Sequence, residues 1–288
     1  MIFYASRREP KKKDPTPTPP GAEYDPHREQ MRAWIREVRE IPHTDVSIRS
    51  HDGLALWGSY YEYKKGAPIE IMFHGYRGSA IRDMSGGVIR CFALERNALV
   101  VDQRAAGRSG GHVITFGARE SLDCRAWVDF VIQNIDPDAK IILTGISMGA
   151  ATVMMAGSME MPPNVVGVLA DCGYTSTRAI IKKVIRDMKL PPDLLYPFAR
   201  LGAILFGHFD PDRDSPVASM GRCHLPVIFF HGDADTFVPC SMSEENYNAC
   251  TSESKQLVVI PGAAHGICFP VDQKGYLEAL DAFFKPHL

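Results

Sequence analysis

The pentapeptide Gly145-Ile146-Ser147-Met148-Gly149 sets a serine between two glycines, each two residues away. The apolar run KIILT (140–144) leads into it, and the helix-forming Ala150-Ala151-Thr152-Val153-Met154 leads out. A strand that turns this sharply into a helix holds its hinge residue in strained backbone, and the flanking glycines let the two elements close up. A serine so presented becomes a nucleophile once a base takes its proton. The plainer alternative is a glycine-rich turn with an incidental serine.

The candidate base is His265, in PGAAHG just after the last apolar run, where a loop would return over the sheet edge with freedom supplied by Gly262 and Gly266. His74 and His231 also end apolar runs and precede glycines; they read as turn-formers that bond backbone groups. The acid that orients the base is expected in HGDADTFVP (231–239). Asp235, deeper in that loop, is preferred, Asp233 braces the loop, and Asp171 is the reserve. Donors for a developing oxyanion are expected from the backbone N–H of Met148, at a helix start, and of Tyr76, in the loop HGYRGS (74–79). Arg77 and Phe237 are candidate substrate contacts, Arg77 through an anionic group. DQRAAGRSGG (102–111) has neither a G-x-G-x-x-G opening a helix nor a P-loop lysine, so no nucleotide cofactor is expected; Asp102 and Arg104 are read as a pair bracing a turn.

Positioning these groups requires a sheet whose strands end at one rim. Val46, Ile48, Leu54 and Leu56 alternate with polar residues about Asp52-Gly53, which predicts a hairpin. Six apolar runs follow, at 69–73, 97–101, 140–144, 165–170, 226–230 and 256–260. Helical patterns lie near 79–95, 118–134, 148–160, 241–251 and 270–285, and a helix with Met31, Trp34, Ile35 and Val38 on one face precedes the hairpin. Apolar runs separated by helices predict a parallel sheet covered on both faces. Between Asp171 and Leu225 the chain is longer than a crossover needs, and its two helical patterns, 175–189 and 193–206, predict a helical cap over about 174–222. The cap's apolar residues, among them Ile180, Ile181, Leu194, Leu195, Phe198, Leu201, Ile204, Leu205 and Phe206, are expected to line a hydrophobic substrate site or pack on the sheet.

Composition bounds the rest. With 288 residues, 45% apolar and 23% charged, and a net charge of −2, the chain carries no overall pull toward nucleic acid or anionic lipid. Seven cysteines without metal-ligand spacing predict neither a disulfide framework nor a metal site, and fit a reducing, cytoplasmic setting. Residues 1–22, basic and rich in proline, predict a flexible tail ahead of a single domain at 23–288; Arg7, Arg8 and Lys11 to Lys13 could give weak attraction to a membrane surface.

Taken together, HGYRG, DQRAAGRSGG, GISMG, HGDADTFVP and GAAHG resemble, in order and spacing, the α/β-hydrolase superfamily, and most of all its small bacterial serine-aminopeptidase-like and prolyl-oligopeptidase-like members. The resemblance implies the α/β-hydrolase fold, a mostly parallel eight-stranded sheet with helices on both faces and a small helical cap. It implies no cofactor, and roles for Ser147, Asp235 and His265 as nucleophile, acid and base, with Tyr76 and Met148 at the oxyanion. The reaction expected is hydrolysis of a carboxylic ester of a small acyl substrate through an acyl-enzyme. Thioester, peptide or amide hydrolysis on the same residues, or binding without turnover, are the alternatives.

Overall fold

The computed structural model describes residues 2–5 and 16–288. Eight strands form one sheet in the order β1-β2-β4-β3-β5-β6-β7-β8. The hairpin strands β1 (Thr44–Arg49) and β2 (Ala55–Tyr61) pair antiparallel, and β2 joins β4 antiparallel. From β3 (Ile69–Phe73) and β4 (Asn97–Asp102) through β5 (Ile141–Ile146), β6 (Val165–Asp171), β7 (Val227–Gly232) and β8 (Lys255–Ile260), every pairing is parallel. β3, β4, β6 and β7 are buried at every residue. That is why they read as unbroken apolar runs: strands covered on both faces have no side to leave polar.

One face carries α3 (Glu120–Asn134), α4 (Met148–Gly157), α7 (Pro216–Met220) and α8 (Ser241–Ala249), with Trp127, Val153 and Met220 packed against Ile71, Leu143 and Phe229. The other face carries α1 (Arg28–Glu40), α2 (Ala80–Ala93), the short α9 (Cys268–Val271) and α10 (Gln273–Phe284), where Trp34, Tyr276 and Phe284 meet Ile142 and Phe230. On this second face β3 buries a charge. Glu70 accepts hydrogen bonds from Arg90, from Arg96 at 2.8 Å and from Thr144 Oγ1 at 2.9 Å. Burial alone would push its carboxyl up, but the two guanidiniums outweigh it and bring the group down to about 2. All seven cysteines are free thiols, six of them buried and Cys240 half-buried.

α5 (Thr177–Asp187) and α6 (Pro192–Gly207) stand between β6 and β7. Ile180, Ile181, Ile185 and Tyr196 pack with Tyr174, Phe116 and Met148. The expectation that the cap's apolar residues all face inward is wrong for α6: Leu194, Phe198, Leu201, Ile204, Leu205 and Phe206 are exposed. The later part of the 174–222 interval is scaffold, since Met220 of α7 is buried in the main core.

The tail expected over 1–22 is in part fastened. Tyr4 bridges antiparallel to Val113, Ala5 N donates to His112 O at 2.8 Å, and Phe3 O accepts from Ile114 N at 2.8 Å. Phe3 lies edge-on to Phe116 and Phe209. Thr18 Oγ1 and the carbonyls of Pro19 and Gly21 accept from Arg28. The basic residues Arg7, Arg8 and Lys11 to Lys13 lie outside the described residues.

Candidate active site

Ser147 sits between β5 and α4 at φ 56° and ψ −114°. Only a close approach makes such a turn possible, and both glycines are required by it. A Cβ on Gly145 would lie 2.1 Å from Gly149 O, and one on Gly149 would lie 1.9 Å from Phe73 O. Ser147 N donates to Asp171 O at 2.8 Å, so the backbone end of β6 helps hold the strained residue.

His265 Nε2 lies 2.9 Å from Ser147 Oγ, and His265 Nδ1 lies 2.7 Å from Asp235 Oδ2. A carboxylate only accepts, so Nδ1 carries the proton and Nε2 offers its lone pair to the serine hydroxyl. Asp235 Oδ1 accepts from the backbone N–H of Phe237 and Val238 at 2.9 and 2.8 Å. Burial works to raise this carboxyl, but hydrogen bonds from His231 and His265 outweigh it and hold the group well below the ordinary carboxylate range. The loops that bring acid and base together are pinned at their bases: a Cβ on Gly232 would strike Ala263 O at 2.0 Å, Ala234 N donates to Ala263 O, and Gly262 N donates to Asp233 Oδ1 at 2.6 Å. Asp233 is thus the brace between the loops.

The other histidines are structural. His231 Nε2 faces Val238 O at 2.8 Å and Asp235 Oδ2 at 3.3 Å, both acceptors, so it carries hydrogen and Nδ1 accepts from Ser243. His74 Nε2 accepts from Gln103 N at 3.0 Å, and its Nδ1 donates to Gly75 O at 2.8 Å. Asp171 does not reach the base; it accepts from Tyr276 Oη at 2.9 Å, buried on the other face of the sheet. Cys172, Asp235 and His265 have donor atoms within 4.8 Å of one another, but burial keeps the Cys172 thiol well above its ordinary value, hence neutral.

The loop after β3 lies against the serine, with the Cβ direction of Gly75 meeting Ser147 Cβ at 3.5 Å. Tyr76 follows Gly75 in this loop, and Met148 opens α4 directly after Ser147. Gly75 N donates to Asp83 Oδ2, and Gln103 Nε2 donates to His74 O at 2.6 Å while its Oε1 takes Thr152 Oγ1. Asp83 and Gln103 therefore hold this loop, although nothing in their sequence setting marks them; both contacts close across more than one element. Tyr76 Oη donates to Ile2 O at 2.6 Å, and Arg77, at φ 51°, donates to Tyr4 O and lies 5.1 Å from the Tyr76 ring. Arg77, one of the two side chains that the sequence offers to a substrate, is thus engaged with the N-terminal segment. Phe237 sits edge-on to the His265 ring at 5.0 Å. The pairing expected of Asp102 with Arg104 is absent: Arg104 reaches across the fold to Asp123 and Asp52, and Asp102 accepts from Ala80 N and Arg108 N.

A cleft of about 420 Å³ opens at Ser147 and His265. Its lining combines the apolar Pro19, Pro20, Tyr24, Met31, Ile146 and Phe237 with Tyr76 and the charged Glu23, Arg77, Arg82 and Asp83. The cap helices do not line it; the chain before and within α1 does.

A family model described as serine aminopeptidase, S33, matches residues 214–272, the part that holds Asp235 and His265. The uncharacterised protein YqkD of Bacillus subtilis is 24% identical over 65% of this chain and 61% of its own length, so the chain spans less than two thirds of that relative. Among solved structures, an esterase of Pyrococcus furiosus superposes with a TM-score of 0.72 at 22% identity, covering 87% of this chain and 93% of that one. A puromycin-hydrolysing peptidase of Mycobacterium tuberculosis superposes at 0.65 with 15% identity, over 85% of this chain and 39% of that one.

Proposed function

We propose that this chain, which has the α/β-hydrolase fold, is a serine hydrolase that cleaves carboxylic esters of small acyl substrates without a cofactor. The observation that carries the reading is the continuous relay from Ser147 through His265 to Asp235, with the serine on a strained turn at a helix start. His265 Nε2 takes the proton as Ser147 Oγ attacks the ester carbonyl, and Asp235 stabilises the imidazolium that forms. The amides of Tyr76 and Met148 donate to the oxyanion, aided by the positive end of the α4 dipole. His265 then protonates the departing alcohol, and a water that it deprotonates releases the acid and restores the serine. The apolar part of the cleft lining, Pro19, Pro20, Tyr24, Met31, Ile146 and Phe237, supports an ester with an apolar group. Seven free thiols accord with work in a reducing, cytoplasmic compartment.

An aminopeptidase is the second reading, favoured by Glu23 in the cleft lining, whose carboxylate can pair with a substrate α-ammonium. A thioesterase would use the same relay.

A fluorophosphonate probe tests the first step: the wild-type protein should label and Ser147→Ala should not. Folded wild-type protein that stays unlabelled would leave only a binding role. Rates on p-nitrophenyl acyl esters against aminoacyl arylamides then rank the substrates. Arylamide hydrolysis as fast as ester hydrolysis, and reduced by Glu23→Gln, would establish the aminopeptidase.

A further inference from the structure

We propose that the outer face of the cap is a docking surface for an anionic lipid bilayer. Of the fourteen exposed large apolar side chains among the described residues, eight gather on α6 and the turn before it. Phe206 is 82% exposed, Phe198 67%, Met188 64% and Leu194 63%. Leu194, Phe198, Leu201 and Leu205 fall at i, i+4, i+7 and i+11, one stripe along about 16 Å of helix. A soluble surface seldom leaves so continuous an apolar band to water.

The charges beside the stripe identify what covers it. α5, α6 and their connecting turn hold six cations, Arg178, Lys182, Lys183, Arg186, Lys189 and Arg200, against two anions, Asp187 and Asp193, on a chain whose net charge is −2. Asp210 and Asp212, just beyond α6, pair with Arg200 and Arg178. Lys182 pairs with Asp193 and Lys183 with Asp187. Among the described residues no ion pair engages Arg186 or Lys189, and both are exposed between the apolar Met188 and Leu190 and the end of α5. An apolar stripe flanked by exposed cations is the pattern of a helix that lies in the plane of an anionic membrane, its side chains among the acyl chains and its cations at the headgroups. A second copy of the chain is the weaker occupant, because a two-fold interface would set this cationic rim against itself.

The surface is coupled to the candidate active site. Lys183 of α5 donates to Thr236 O and stands 5.8 Å from the Phe237 ring, which packs on His265. Docking through the cap therefore sets at the bilayer a unit linked through Lys183 and Phe237 to His265, so that, resting on the ester reading above, membrane-partitioned esters become its substrate class.

Vesicle co-sedimentation of the full chain tests the surface without using any substrate. The wild type should partition onto vesicles of phosphatidylcholine with phosphatidylglycerol and far less onto phosphatidylcholine alone. Phe198→Ser/Phe206→Ser should weaken partition by about tenfold or more, and Arg186→Glu/Lys189→Glu should remove the preference for the anionic lipid. Both variants should keep the wild-type melting behaviour and the wild-type rate on a soluble short-chain ester. No partition of the wild type, or undiminished partition of the Phe198→Ser/Phe206→Ser protein, overturns the proposal. So does a wild-type dimer in analytical ultracentrifugation that this variant dissociates, which would give the face to a second copy. If vesicles bind as expected but no ester is cleaved, the surface stands and the ester reading falls.

Discussion

The rim of the sheet and the cap above it treat polar and apolar groups in opposite ways. At the rim, Asp235 accepts from two backbone amides and two histidines, His265 bridges Asp235 and Ser147, and glycines bring backbones to distances no side chain could survive. On the cap, apolar side chains face out while the ion pairs lie at the surface. The difference teaches where each region's information sits. A buried, fully partnered site loses function from a single atom changed, whereas an exposed stripe tolerates substitution without cost to the fold and carries meaning only toward something outside the chain.

The largest expected effect follows from the smallest change at the rim. Asp235→Asn leaves the shape of the loop but offers His265 the wrong partner, so kcat on a p-nitrophenyl ester should fall by about 10⁴-fold. A loss under tenfold would mean that another group orients the base. Next comes Glu70→Gln, which strands two buried guanidiniums without their anion and should cost about 3–5 kcal/mol at neutral pH, read from urea unfolding. The same residue fixes an acid limb. Because the folded carboxyl is held at about 2, below its ordinary 4.5, its contribution to stability is complete above pH 4.5 and disappears as the pH falls toward 2. Glu70→Gln should flatten that part of the stability curve, and an unchanged slope would refute the assignment.

The cap itself can be divided by two substitutions of the same kind. Ile181→Ala, on the inward side beside Tyr174 and Met148, should cost about 2–4 kcal/mol. Leu205→Ala, on the outward side, should stay within about 0.5 kcal/mol. Equal costs would mean that α6 is covered in the folded chain.

Much of the rim is legible in the sequence. Parallel strands buried on both faces must be apolar throughout, so their runs announce themselves; Ser147 and Asp235 follow two such runs, β5 and β7, and His265 follows the edge strand β8. What escaped has a common cause. The stripe on α6 was hidden because Leu195, Tyr196 and Ala203 make the helix apolar on other faces as well, so spacing could not say which face is outermost. Ile2 to Ala5 looked like a loose start because four residues carry no sign of a partner strand more than a hundred positions away. Arg104 pairs with Asp52 and Asp123 rather than its near neighbour for the same reason: side chains find partners in space, and only the turn chemistry of adjacent residues is local.

The uneven burial of the thiols has a practical consequence. Cys240 directly follows the Asp235–Pro239 loop and starts α8, while the other six are shielded by the core. A maleimide dye should therefore attach at one position in the unmodified chain, giving a native fluorescence reporter a few residues from Asp235.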